Sequence, residues 1–359
     1  MLPAKVYSLI FICVFATGCS NNEAEDLLTN YAWRVGNALE QNVELNLTAN
    51  TQLIPLFPKK RDRIHPLEEF REGLLDVLEL KYCDGLLPLI AERNSSMGKV
   101  MTETSQLNYE LQFYDKLKHC IRKLEQSGES KSELREILTP LHQLKSRNLP
   151  KVVWNGIYGS DEVTDNFSTR DAPLVPGPQN GFSSTLRVFE HFVQISHQAS
   201  QPRDWRMPSH QQTLSKDYQL LFRNRAGSRW LKSVQMLTDT LNQTADAIHK
   251  RLALRPFCYN RTPSSQAKIL QNVFVKYYAG ELQPYLSTIS RQGERWLDLN
   301  RQLLQVLPAT DSMHTYLSKL DSESADRGLW QNFIAARDRH TQAWQKILGQ
   351  CGLMPSREN

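Results

Sequence analysis

Eight residues, Leu282, Tyr285, Ile289, Gln292, Trp296, Leu299, Leu303 and Val306, follow one another at gaps that alternate three and four, and Gln292 is their one polar member. An α-helix turns once every 3.6 residues, so such a series lines up as a single apolar seam that other helices must cover. The same spacing recurs at Trp230, Val234, Leu237, Leu241, Ala245, Ile248 and Leu252, at Leu28, Tyr31, Val35 and Leu39, and at Phe333, Ala336, His340, Trp344 and Ile347. Thr262 followed by Pro263 reads as a helix cap with proline at the first helical position. No stretch sustains the period of two that a half-buried strand requires. The expected fold is therefore all-α, an irregular multi-helix antiparallel bundle.

One region interrupts the pattern. From Leu149 to Phe182, "LPKVVWNGIYGSDEVTDNFSTRDAPLVPGPQNGF", prolines and glycines punctuate a stretch that reads as one long loop. Loops of that length are usually functional or disordered, and the aromatic residues Trp154, Tyr158, Phe167 and Phe182 favour burial. Two readings follow: a plug packed over the bundle, or a binding loop built on Trp154, Asn155, Tyr158, Asp161 and Glu162. Trp154 follows Val152 and Val153 and is expected to be buried, whereas Tyr158, with Gly156 and Gly159 near it, is expected to be less so. With 359 residues and 40% hydrophobic content, residues 19–359 suffice for a single helical domain, or for two subdomains of about 22–147 and 183–352 joined by the 149–182 loop.

The amino-terminal run Val6–Phe15, "VYSLIFICVF", is too short to span a bilayer, which takes about 20 apolar residues, but it has the length of a signal-peptide core. Lys5 precedes it and the small residues Ala16, Thr17 and Gly18 follow. The sequence "ATGC" resembles the lipobox of bacterial lipoproteins, which implies cleavage after residue 18 and lipidation of Cys19. Residues 1–18 are accordingly a lipoprotein-type signal peptide. Three acyl chains make release from the membrane negligible, since two already anchor a protein stably. In lipoproteins an aspartate directly after the lipidated cysteine usually retains the chain in the inner membrane; Ser20 at that place implies the periplasmic face of the outer membrane.

Of the six cysteines, Cys13 leaves with the leader and Cys19 takes the lipid, so Cys83, Cys120, Cys258 and Cys351 remain for disulfides in an oxidising compartment. Leu67, Phe70, Leu74, Val77 and Leu78 mark a helix leading to Cys83, and Leu107, Leu111, Tyr114, Leu117, Ile121 and Leu124 mark a second one carrying Cys120. Folded as an antiparallel hairpin about the "ERNSSMG" turn, they bring the two cysteines to heights that differ by about one helical turn, with Gly85 and Pro88 bending the first helix. Cys83 is thus assigned to Cys120, and Cys258 to Cys351 by elimination.

Motifs that carry chemistry are missing. There is no G-x-S-x-G turn, phosphate loop, dinucleotide fingerprint or H-E-x-x-H. No pair of histidines has the helical spacing of a metal site, and His340 on an apolar face reads as a core residue. No metal or cofactor is expected. Asp161, Glu162, Asp165 and Asp171 supply the residue type for the paired carboxylates of a glycan hydrolase, although acids in a loop are usually solvated. The cations Arg223, Arg225, Arg229 and Lys232 read as a solvated helix end. The formal charge of +5, of which Lys5 leaves with the leader, implies no particular anionic partner, and nucleic acid is not expected.

The segments "AERNSSMGKVM", "YELQFYDKLKHC" and "LPKVVWNGIYGSDE" resemble a family of Gram-negative envelope lipoproteins catalogued only as a domain of unknown function. The resemblance implies a compartment and one family domain, and it supplies no activity and no catalytic residues. The sequence therefore points to a lipid-anchored periplasmic helical protein, a non-catalytic binding or scaffold module whose partners are the membrane, through its lipid, and an envelope protein or glycan. The alternative is an enzyme acting on peptidoglycan or its fragments through the acidic loop residues.

Overall fold

A computed structural model of the chain describes residues 23–70, 79–126, 132–178, 180–209, 211–321 and 328–354. Residues 1–22, on which the expected signal peptide, Cys19 and Ser20 fall, and the stretch holding Leu74, Val77 and Leu78 lie outside these. The described residues form helices α1 (Glu23–Leu39), α2 (Lys60–Arg63), α3 (Leu86–Asn94), α4 (Glu103–Gln126), α5 (Ser132–Tyr158), α6 (Asp161–Asn166), α7 (Phe182–Ser200), α8 (Leu214–Asn224), α9 (Ala226–Leu254), α10 (Ser265–Val273), α11 (Gln283–Val306), α12 (Asp311–Asp321) and α13 (Leu329–Gln350), with no named strand among them. The fold is all-α.

The centre is α9, which packs against α1, α7, α11 and α13. A helix covered on so many sides must satisfy its own polar groups. Ser233, Thr238, Thr240 and Thr244 do so by donating their hydroxyls to the carbonyls of Arg229, Val234, Met236 and Thr240, one turn back. The α11 seam is buried from Leu282 to Leu303, and a π-helix, Phe274–Leu282, joins it to α10. Its polar member is no exception to the packing: the Gln292 and Asn180 amides donate to each other at 3.0 and 3.1 Å. Gly293 stands where any Cβ would collide with the Trp230 ring, so α9 and α11 approach closely through a missing side chain. The α10 cap is Ser264, whose side chain accepts from the Ala267 N–H at 3.1 Å. It lies two residues later than Thr262, because Tyr259 and Thr262 close a tight turn first.

One hydrophobic core runs from Ala24 to Cys351, with α1 packed on α9 and α10. A smaller core lies under the α4–α5 hairpin and holds Cys83, Cys120, Tyr109, Phe113 and Leu138. The structure pairs Cys83 with Cys120, Cα atoms 4.9 Å apart, and Cys258 with Cys351 at 5.1 Å. The route to the first pairing differs from the expected one: no helix runs through Leu67 and Phe70, and Cys83 sits in a turn before α3. Gly85, at φ +81°, starts α3 there, a backbone angle that only glycine adopts without strain.

The long loop is corrected most. Residues 149–158 are the last turns of α5, and α6 follows after Gly159 and Ser160. Pro150 lies inside α5, where it removes one backbone bond. The apolar set Leu149, Val152, Val153 and Ile157 outweighs that loss by entering the main core. Within this segment the described irregular chain is limited to residues 159–160, 167–178 and 180–181.

Candidate functional site

Residues 40–70, which follow α1, lie on the bundle as a strap, and side-chain amides hold it. Asn155 accepts from the His65 N–H and donates to the His65 carbonyl, each at 2.8 Å. Asn148 treats Glu68 likewise, at 3.3 and 2.8 Å. Seven residues of helix and three of extended chain both span about 10 Å, so the two clamps keep register along antiparallel paths. Gln243 of α9 repeats the device on Asn46, at 2.8 Å both ways.

Trp154 and Tyr158 lie beneath the strap, both 0% exposed. The Trp154 indole N–H donates to the Arg63 carbonyl at 2.7 Å, and the Tyr158 hydroxyl donates to Asn300 at 2.9 Å. Arg63 is itself buried, donates to the carbonyls of Tyr158 and Pro58 and to the Thr164 hydroxyl, and covers the Phe57 ring. Burial holds its pKa below the ordinary arginine value. The expectation that Tyr158 would be less buried is wrong: Gly156 places it against the core rather than freeing it, because a Cβ there would stand 2.6 Å from Leu107 and force α4 and α5 apart. Trp154 and Tyr158 are therefore covered by the strap, and the half-buried Asn155, which clamps it, also lines a neighbouring cavity.

The four acids separate. Asp165 and Asp171 flank Arg225, at 3.4 and 3.8 Å, and Asp161 is exposed in the first turn of α6. Glu162 differs from them. It is half-buried, and desolvation, followed by the neighbouring charges of Asp161, Asp165 and Glu103, raises its pKa above the usual carboxylate value.

Glu162 lines a cleft of about 420 Å³ enclosed by α3, α4, α6 and α8. Glu92 faces it from α3, Tyr109 from α4, and Tyr218 and Phe222 from α8. Tyr218 is buried and its hydroxyl donates to the Gly156 carbonyl at 2.7 Å, whereas the Phe222 ring is 56% exposed. Tyr109 is 5% exposed, and its hydroxyl is not among the fully buried unpartnered polar atoms of the described residues. Burial, then the charge of Glu110, holds its proton far above the ordinary phenol range. Among the described residues lining the cleft there is no Lys, Arg or His. The nearby cations are engaged: Arg93 donates to the Gly98 carbonyl, and Arg225 holds its two aspartates. No group of three or more His, Cys, Asp or Glu side chains with metal-holding geometry occurs among the described residues. Sequence reasoning named Glu162 and missed Tyr109, Tyr218 and Phe222. The available signal was on α4, where Tyr109 and Phe113 form a second apolar row beside the Leu107–Leu124 series, marking a helix buried on two faces.

A family described as protein of unknown function (DUF3080) matches residues 28–355. The chain belongs to this family. The match begins inside α1 and ends beyond the Cys258–Cys351 bridge, so the family domain includes the strap, the cleft and both cysteine pairs. No curated protein and no solved structure matches the chain.

Proposed function

We propose that this chain is a lipid-anchored binding or scaffold module on the periplasmic face of a Gram-negative outer membrane, attached through Cys19 and engaging an envelope protein or glycan through the Glu162 cleft. The observation that carries the compartment is cysteine usage. After a leader whose end resembles a lipobox, the four further cysteines stand at disulfide distance in two pairs, an arrangement suited to an oxidising compartment. Binding is favoured over catalysis because Asp165 and Asp171 are committed to Arg225, whereas a cleft with aromatic walls and a few convergent polar groups is the usual form of a ligand site.

A second reading, an enzyme acting on peptidoglycan or its fragments, is favoured by Glu162: a carboxyl whose pKa is raised by burial is what a general acid requires. Cell fractionation tests the anchor. Cys19→Ala should leave a soluble or uncleaved species, and a mutant that still pellets with the outer membrane after a high-salt wash would contradict it. Incubating the purified chain with peptidoglycan, beside Glu162→Gln, separates the two readings: release of soluble fragments that needs Glu162 favours the enzyme, and retention of intact ligand favours the module.

A further inference from the structure

We propose that the face formed by α1, α10 and the π-helix is a second membrane contact, docking on phosphate-bearing headgroups of the membrane that holds the anchor. The inference rests on the reading of the chain as lipid-anchored and adds a surface to it.

Between Asp246 and Glu281 the chain has no acid, and its cations there are Lys250, Arg251, Arg255, Arg261, Lys268 and Lys276. All but Arg251 are exposed. The near balance of the whole chain, 43 Lys and Arg against 38 Asp and Glu, hides this local excess. The stretch builds the end of α9, α10 and the π-helix, and it leaves Ile269 and Val275 at least 50% exposed. Cations beside exposed apolar side chains are the composition of surfaces that sit in a lipid headgroup layer.

A groove of about 790 Å³ runs between α1 and this stretch. Gln266 donates to the Ala38 carbonyl at 2.8 Å, and the Tyr31 and Tyr278 rings lie 6.1 Å apart, so α10 and the π-helix run antiparallel to α1. The wide turn of the π-helix brings three successive residues, Val275, Lys276 and Tyr277, to the groove. Arg34 lies 4.7 Å from the Trp33 ring centroid and 4.8 Å from that of Tyr277, and the Lys276 ammonium is 5.2 Å from Tyr277. Two cations thus converge on one ring. Neither has an ion-pair partner among the described residues, and Glu40, the one acid among the described lining residues, pairs with neither. A headgroup phosphate would accept from both and relieve their repulsion, while the exposed Trp33 beside them is of the type that settles at headgroup level.

The anchor brings this face to the membrane. Glu23, the first residue of α1, follows Cys19 by four residues, a tether of at most about 14 Å. A lipid on Cys19 therefore keeps α1, itself about 25 Å long, within reach of the headgroups. The acids Glu23, Glu25 and Asp26 gather in its first turn, where the helix dipole accounts for them.

The test uses the full chain in vesicles of phosphatidylcholine alone or mixed with phosphatidylglycerol, with a photo-crosslinking residue at Ile269 or, as control, at the exposed Met97 of the α3–α4 turn. A phospholipid adduct at position 269 is expected, stronger with phosphatidylglycerol and absent at position 97. Arg34→Gln and Lys276→Gln should each weaken it about fivefold, and added salt should weaken it too. Lipid adducts equal at the two positions, adducts equal in the two vesicle types, or adducts unchanged in the doubly substituted chain overturn the proposal. So does an adduct at position 269 that, in cells, joins a protein instead of lipid. Vesicle flotation reports on the anchor separately. A chain that floats with both vesicle types but gives no adduct at 269 keeps the anchor and discards the docking face; one that floats only with phosphatidylglycerol, and no longer does so with Lys276→Gln, keeps the face and discards the anchor. A chain that floats with neither discards both.

Discussion

Replacing Trp154 with Ala tests whether the former loop residue is structural. The side chain is 0% exposed, its ring lies 4.5 Å from the Tyr158 centroid, and its N–H serves the Arg63 carbonyl. Large-to-small truncation of a buried tryptophan costs about 3–5 kcal/mol. The Arg63 carbonyl, left buried without its donor, adds a penalty of about 1–3 kcal/mol, reduced to the extent that water reaches it. A net loss of at least about 3 kcal/mol lowers the melting temperature by roughly 6–12 °C, taking about 2–4 °C per kcal/mol for a chain of this size class. Circular dichroism at 222 nm against temperature reads it directly. Phe222→Ala is the control, because its ring is 56% exposed and surface changes stay within about 0.5 kcal/mol. A Trp154→Ala protein that melts at the wild-type temperature would refute the packing argument and return the end of α5 to the candidates for a binding surface.

Three further outcomes are expected. Asn155→Leu removes both strap bonds at His65, so amide hydrogen exchange at His65 and Glu68 should accelerate while the α9 amides stay protected. In the core, Trp344, a donor only, shares the His340 Nε2 with the Tyr31 hydroxyl, which fixes that nitrogen as acceptor and the ring as neutral, and burial lowers its pKa to about 3. The folded chain then binds fewer protons than the unfolded one between pH 6.5 and about 3, so stability should fall as pH drops through that window, by about 4–5 kcal/mol, and His340→Gln should flatten the slope in urea titrations. Reducing the bridges should lower stability by at most about 4 kcal/mol for Cys83–Cys120, 37 residues apart, and about 5 kcal/mol for Cys258–Cys351, 93 apart, which single cysteine-pair variants resolve by melting.

Periodicity made the helices readable because α9, α11 and α13 are long and each buries a continuous seam. Pro150 defeated the same reasoning. A proline there reads as a stop, although Leu149, Val152, Val153 and Ile157 continue the helical spacing across it, and tertiary burial decides the conflict in favour of the helix. The strap was not legible, because its stability comes from Asn148, Asn155 and Gln243, whose partners lie 80, 90 and 197 residues away. The cleft was legible only at Glu162. Its other walls come from α3, α4 and α8, and single-helix patterns do not report which faces converge.

The central claim, attachment through Cys19, is tested most directly by mass spectrometry of the amino-terminal peptide of the protein purified from Gram-negative cell membranes. The account predicts a peptide beginning at Cys19 and carrying a diacylglyceryl group on sulfur and an acyl group on the new amino terminus. A peptide that begins at Met1, or one that begins at Cys19 with a free thiol, would contradict it.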